Sequence, residues 1–153
     1  MTDEEAMVYA LEKEALYREI YKPDIKPVQG LIELLEAFQQ HDIPMAIATS
    51  GIPVNIEFMF EHIPIRQYFK VIVNSTHIKK GKPDPEIYLK TASLLGIPVG
   101  NCLVFEDAVV GVQAARSAGM KVIALTTTQT REELIDANMI ITYFSAEAFG
   151  NGS

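Results

Sequence analysis

The sequence contains little that would tie it to an oxidising compartment, a nucleic acid or a membrane. Cys102 is its only cysteine, which excludes an intrachain disulfide and a cysteine-rich metal site. The net charge of −7 argues against a surface for nucleic acid or anionic lipid. No apolar run reaches membrane-spanning length, and the acidic residues after Met1 differ from the basic start of a signal peptide. We therefore expect a cytoplasmic protein without a nucleic-acid or membrane partner.

Short apolar runs alternate with segments of helical periodicity through most of the chain. This pattern predicts an α/β fold in which a parallel sheet is covered by helices on both faces. The apolar runs predict strands, and one further short helix is expected at residues 131–137. The predicted strands are residues 45–48, 71–73, 102–105, 121–125 and 139–141.

The first twenty residues show helical spacing of a different kind. Met7, Leu11 and Ala15 form an apolar stripe, which predicts one helix from about Asp3 to Ile20. The two prolines of residues 23–28 then interrupt the pattern. We expect an extended linker there, and a boundary between subdomains.

Polar residues follow several of the predicted strands. Ligands of open parallel sheets lie beyond the carboxyl ends of the strands. There, the Thr49 hydroxyl and the amides that follow it could receive a phosphate, and Lys82 could neutralise its charge. Glu106 and Asp107 are hard oxygen ligands suited to Mg²⁺. Each group also has an ordinary reading, since Thr-Ser-Gly commonly caps a helix and lysine clusters commonly form solvated loops.

Three stretches, in this order, resemble motifs of the haloacid dehalogenase superfamily, in particular the group of β-phosphoglucomutase and the sugar-phosphate phosphatases. They are AIATSG at residues 46–51, GKPDPEIY at 81–88 and VFEDAVVGVQAA at 104–115. The resemblance implies a three-layer, Rossmann-like core and a small phosphorylated metabolite as substrate. It assigns Thr49, Ser50, Gly51 and Lys82 to phosphate binding, with Thr49 and Lys82 catalytic. Glu106 and Asp107 would hold Mg²⁺.

The chain departs from the family pattern at the first motif. That motif is an Asp-x-Asp whose first aspartate attacks phosphorus, and no two aspartates of this sequence have that spacing. The resemblance therefore implies that the first, central strand and most of the helical cap are missing. Residues 1–22 would be a remnant of the last cap helix, 23–28 a hinge, 29–149 the core and 150–153 a disordered tail.

The expected gap lies between the strand before Thr49 and the strand that ends at Glu106. Unpaired strand edges recruit other strands, so we expect self-association, complementation by another chain, or closure of the two strands on each other.

The leading functional hypothesis is a Mg²⁺-dependent phosphatase or phosphomutase whose isolated chain has no nucleophile and no turnover. One alternative is a catalytically inactive fragment that binds only metal, phosphate or a partner chain. A receiver domain of two-component signalling is less favoured, because in receivers the acidic residues come first and the lysine last.

Overall fold

The computed structural model describes residues 5–10, 30–126 and 129–142. These residues form a six-stranded parallel sheet, whose strand order is β3-β2-β1-β4-β5-β6. The strands are β1 (Ala6–Tyr9), β2 (Met45–Ala48), β3 (Val71–Val73), β4 (Cys102–Glu106), β5 (Lys121–Leu125) and β6 (Met139–Ile141). Strands are thus added from the centre to one edge, and then from the centre to the other.

Helices cover both faces of this sheet. The described residues contain α1 (Leu31–Gln40), α2 (Pro53–His62), α3 (Glu86–Leu95) and α4 (Val109–Ala118). Side chains of α1 and α2 pack with alternate residues of the strands in one apolar cluster, and those of α3 and α4 pack with the other residues in a second cluster. The predicted three-layer α/β architecture is confirmed. None of the helices described here is both long and apolar enough to cross a bilayer.

Helix ends follow the glycine signals in the sequence. Helices α3 and α4 end at Gly96 and Gly119, whose φ angles of 72° and 90° are left-handed. Glycine adopts this conformation without the steric cost that a side chain would impose.

The short helix predicted at residues 131–137 is wrong, because this segment forms a turn. Leu134 N donates to Thr130 O at 3.1 Å, which closes a single turn. Asn138 then returns to the sheet, where its N donates to Val122 O at 2.9 Å and its Oδ1 accepts from Val122 N at 2.8 Å. One turn is too short to sustain a helix.

The structure corrects the prediction for the beginning of the sequence. Ala6–Tyr9 form strand β1 and not part of a helix, and β1 pairs with both β2 and β4. The central strand is therefore present, so the predicted gap is wrong, and the self-association argued from that gap has lost its basis. The cap-remnant interpretation of residues 1–22 fails for Ala6–Tyr9. The rest of that range, the hinge at 23–28 and the tail at 150–153 lie outside the described residues.

The error has a physical origin. A central strand of a parallel sheet is buried on both faces, so it shows no alternation of polar and apolar residues. All four residues of β1 are buried. A four-residue apolar run of this kind has the same appearance as a turn of buried helix.

Candidate functional site

The carboxyl ends of β2, β1 and β4 lie side by side at one edge of the sheet. Ile47 is paired with Tyr9, and Tyr9 with Phe105. Thr49 lies two residues beyond Ile47, and Glu106 follows Phe105 directly. Two strand spacings, about 9.5 Å, separate their strands. The structure thus brings Thr49 and Glu106 to the same edge, as the sequence predicts.

A buried ion pair forms the centre of this edge. Lys82 Nζ lies 2.8 Å from Glu106 Oε2, and the two side chains are only 2% and 0% exposed. The Tyr88 hydroxyl donates to the same Oε2 at 2.6 Å. Oε1 accepts from the backbone N of Asp107 at 3.0 Å and of Ala108 at 3.3 Å. Four donors therefore satisfy the Glu106 carboxylate, which is what a buried charge requires.

Helix α4 packs closely against this carboxylate. Gly111 lies in its first turn, and a Cβ there would overlap the Glu106 side chain. The absence of a side chain at Gly111 leaves the space that the carboxylate occupies. Gln129 Oε1 accepts from Val109 N at 2.7 Å and so satisfies a free amide at the start of the same helix.

Lys82 reaches the ion pair from the loop of residues 79–85, here called the lysine loop. The Glu86 carboxylate accepts from Lys79 N at 3.0 Å and Lys80 N at 2.8 Å. These two backbone hydrogen bonds, that of Lys79 first, lower the pKa of Glu86. Asp84 Oδ1 accepts from Glu86 N at 2.9 Å. The start of α3 thus anchors the lysine loop at both of its ends.

The residues expected to bind phosphate after β2 form a tight turn. Thr49 is fully buried, and its N donates to Val73 O at 3.0 Å. Thr49 Oγ1 accepts from Gly51 N at 3.0 Å, so one of the amides expected to face a phosphate is directed at this hydroxyl. Ser50 is exposed, and Gly51 O accepts from Ser75 N at 3.2 Å. The turn is therefore held against the end of β3.

Two carboxylates stand where Mg²⁺ is expected, and they differ in their surroundings. Glu106 is the counter-ion of Lys82 and is already saturated with donors. Asp107 is 7% exposed and is the next residue beyond β4. The described residues contain no group of three or more His, Cys, Asp or Glu that could hold a metal ion. Because Mg²⁺ commonly uses one or two carboxylates together with waters and phosphate oxygens, the site fits Mg²⁺ with Asp107 as its protein ligand.

Within residues 5–10, which the structure describes, no acid follows the central strand. Ala10 follows β1, is buried, and donates its N to Phe105 O at 3.1 Å. By the resemblance, a nucleophilic aspartate would stand at the end of this strand.

Three contributors to the site received no role from the sequence: Tyr88, Gly111 and Gln129. Tyr88 and Gly111 lie inside the recognised motifs, and the buried face of α3 was a usable signal, because a buried tyrosine hydroxyl needs a partner. Gln129 is twenty residues from the amide that it caps. No local pattern in the sequence points to that contact.

Comparisons with known proteins found a matching family and several similar sequences. The family model of haloacid dehalogenase-like hydrolases matches residues 2–125. The chain is 34% identical over 119 residues to validoxylamine A 7'-phosphate phosphatase of Streptomyces hygroscopicus subsp. limoneus, with 78% of this chain and 56% of that protein covered. It is also 34% identical over 111 residues to fructose-1-phosphate phosphatase of Escherichia coli, with 72% and 58% covered.

Solved structures similar to this chain were also found. The crystal structure of β-phosphoglucomutase from Clostridium difficile superposes with a TM-score of 0.74 at 27% identity, over 90% of this chain and 60% of that one. The chain spans about half the length of the curated relatives named above.

Proposed function

Because the chain belongs to the haloacid dehalogenase-like hydrolase family, we propose that its site binds the phosphoryl group of a small phosphorylated metabolite, in a protein of phosphatase or phosphomutase type. Its relatives include phosphatases of small phosphorylated compounds. The observation that carries the proposal is the buried Lys82–Glu106 ion pair beside Asp107. Burying two charges costs free energy that well-packed apolar residues would not. Buried charges at the carboxyl edge of a parallel sheet, where ligands of such sheets bind, support a functional site.

In this proposal each phosphate-binding residue has a distinct task. Lys82 neutralises the phosphoryl charge and is held by Glu106 at 2.8 Å. Thr49 offers its hydroxyl, and the turn through Ser50 and Gly51 shapes the other side of the site. Its hydrogen bond to the end of β3 supports a fixed position for this turn.

Magnesium is part of the proposal, with Asp107 as its protein ligand. When bound, the ion would neutralise charge on the phosphate oxygens. Glu106 is proposed to orient Lys82, because its four donors leave little room for coordination. With a single firm carboxylate, the ion should bind weakly unless phosphate supplies further oxygens.

A second candidate is a protein that binds phosphate and does no chemistry. One observation favours it, namely that Ala10 and not a carboxylate follows β1. Lys82 and Thr49 can assist an attack on phosphorus but do not supply the attacking atom. We therefore expect binding without turnover from residues 1–153. The family assignment removes the receiver domain from consideration.

Calorimetric titration with inorganic phosphate, with and without Mg²⁺, tests the proposal. Binding should require Mg²⁺ and fall about tenfold or more in Lys82→Ala, since a hydrogen bond to a charged group contributes about 1.5–3 kcal/mol. Asp107→Asn should abolish the phosphate binding that requires Mg²⁺. The control is Lys121→Ala, which changes an exposed lysine at the start of β5.

An assay with an aryl phosphate separates the two candidates. Turnover by the unaltered chain would show that a nucleophile lies among residues outside the described ranges. Phosphate binding that is unaffected by Lys82→Ala would refute the proposed site.

A further inference from the structure

We propose that Tyr88 is a positioning residue, which holds the Lys82 ammonium in place for phosphate by binding Glu106 through its hydroxyl and Lys82 through its ring. This inference rests on the proposed function. It assigns a task to a side chain that does not touch the substrate.

The hydroxyl contact is short and fully buried. Tyr88 OH donates to Glu106 Oε2 at 2.6 Å, and Tyr88 is 0% exposed. Lys82 Nζ donates to the same oxygen at 2.8 Å. One carboxylate oxygen therefore receives both groups, and each restricts the orientation of the other. Hydrogen bonds to an ionised acceptor are about twice as strong as neutral ones.

The ring of Tyr88 makes the second contact. Lys82 Nζ lies 5.1 Å from the centroid of this ring, a distance at which a cation is attracted to an aromatic face. The ammonium is thus fixed by the carboxylate and by the ring together. The hydroxyl contact to Glu106 and the ring contact to Lys82 both come from Tyr88, which lies on α3. Tyr88 therefore couples the position of Lys82 to this helix.

A purely structural role would not need the hydroxyl. Phenylalanine would fill almost the same volume in the apolar cluster of α3, which includes Ile87 and Ala92. The hydroxyl adds a polar atom that must find a partner when buried. Its partner is the carboxylate that anchors the proposed phosphate-binding lysine. Without the hydroxyl, Glu106 Oε2 would still accept a hydrogen bond from Lys82, but the orientation of the carboxylate would be less restricted.

The test compares Tyr88→Phe with Tyr68→Phe. Tyr68 is a matched control, because its hydroxyl also faces a glutamate, at 3.5 Å from Glu36 Oε2, but on the exterior. Two quantities are measured: the affinity for inorganic phosphate with Mg²⁺, and the ¹⁵N-edited NMR signal of the Lys82 ammonium without ligand. Lys82→Met identifies that signal.

We expect Tyr88→Phe to fold, to weaken phosphate binding about three- to tenfold, and to shift or broaden the Lys82 ammonium signal, while Tyr68→Phe changes neither. Tyr88→Leu, which also removes the ring, should weaken binding further. An unchanged ammonium signal and affinity in Tyr88→Phe would overturn the inference, as would an equal loss in both phenylalanine variants. If the unaltered chain binds no phosphate, the proposed function fails and the ammonium signal alone decides the role of Tyr88.

Discussion

Removing one partner of the Lys82–Glu106 pair should cost more stability than removing both. Lys82→Met removes the cation that lies 2.8 Å from a carboxylate that is 0% exposed, and Glu106→Gln removes the negative charge beside an ammonium that is 2% exposed. Removing one partner of a buried pair typically costs about 3–5 kcal/mol, whereas replacing the whole pair by uncharged side chains is often close to neutral. We expect each single variant to lose about 3–5 kcal/mol, and the double variant to regain much of that loss.

This magnitude is large for a domain of this size. Net stabilities of about 5–15 kcal/mol are usual, so the single variants should remain folded with a reduced margin. For about 150 residues, 1 kcal/mol corresponds to about 2–4 °C, which predicts melting temperatures lower by about 6–20 °C. The remaining three donors to Glu106 place the Lys82→Met value at the lower end.

Urea denaturation followed by circular dichroism gives the free energies of unfolding for the four proteins of this cycle. Lys121→Met is the control for removing an exposed lysine, and it should change stability by less than about 0.5 kcal/mol. Single-variant losses below about 1 kcal/mol, or a double variant that shows their sum, would refute the reasoning. Either result would mean that the two charges are solvated or independent.

Three further predictions follow from local contacts. Gly111→Ala should lose about 1–3 kcal/mol of unfolding free energy in urea denaturation and weaken phosphate binding, because a Cβ there overlaps the Glu106 carboxylate. Gly100→Ala is the control and should be nearly neutral, because no atom lies within 4 Å of its added Cβ. Because its pKa is lowered in the folded protein, ionised Glu86 stabilises the fold at every pH above the ordinary pKa of a glutamate, and this stabilisation is lost as the pH falls through the lowered pKa. Glu86→Gln should therefore flatten the curve of unfolding free energy against pH on the acid side. Met7→Ala, in the buried central strand, should lose about 2–5 kcal/mol in urea melts, and a loss below about 0.5 kcal/mol would show that β1 is not packed as described.

Much of this molecule is predictable from the sequence because its signals are local. Strands β2 to β6 and the α/β class follow from the apolar runs and from the segments of helical periodicity between them. The three motifs led to the family, which the family match confirms. They also assigned Lys82 and Glu106 to one site, although the direct pairing of the two side chains across 24 residues appears only in the structure.

What the sequence did not reveal depends on contacts distant along the chain. The local pattern of β1 predicts a helix, because its identity as a strand comes from pairing with β2 and β4. The pattern after Thr130 also predicts a helix, because the return of Asn138 to Val122 is a tertiary contact. The different surroundings of Glu106 and Asp107 likewise appear only when Lys82, Tyr88 and α4 are brought together.

The central place of β1 has a consequence for how the chain folds. Met7 is paired with Leu103, so the middle of the sheet joins segments that lie far apart in the sequence. Closing so long a loop costs entropy before any pairing energy is returned, and proteins dominated by such contacts fold slowly. During synthesis on the ribosome, β1 emerges before the other described elements, and it remains without β4 while three of the described helices and two strands are translated. Until β4 is made, a nascent chain can form only the half-sheet of β1, β2 and β3. In this half-sheet the edge of β1 that later pairs with β4 is unpaired, and it is accessible to chaperones and prone to aggregation.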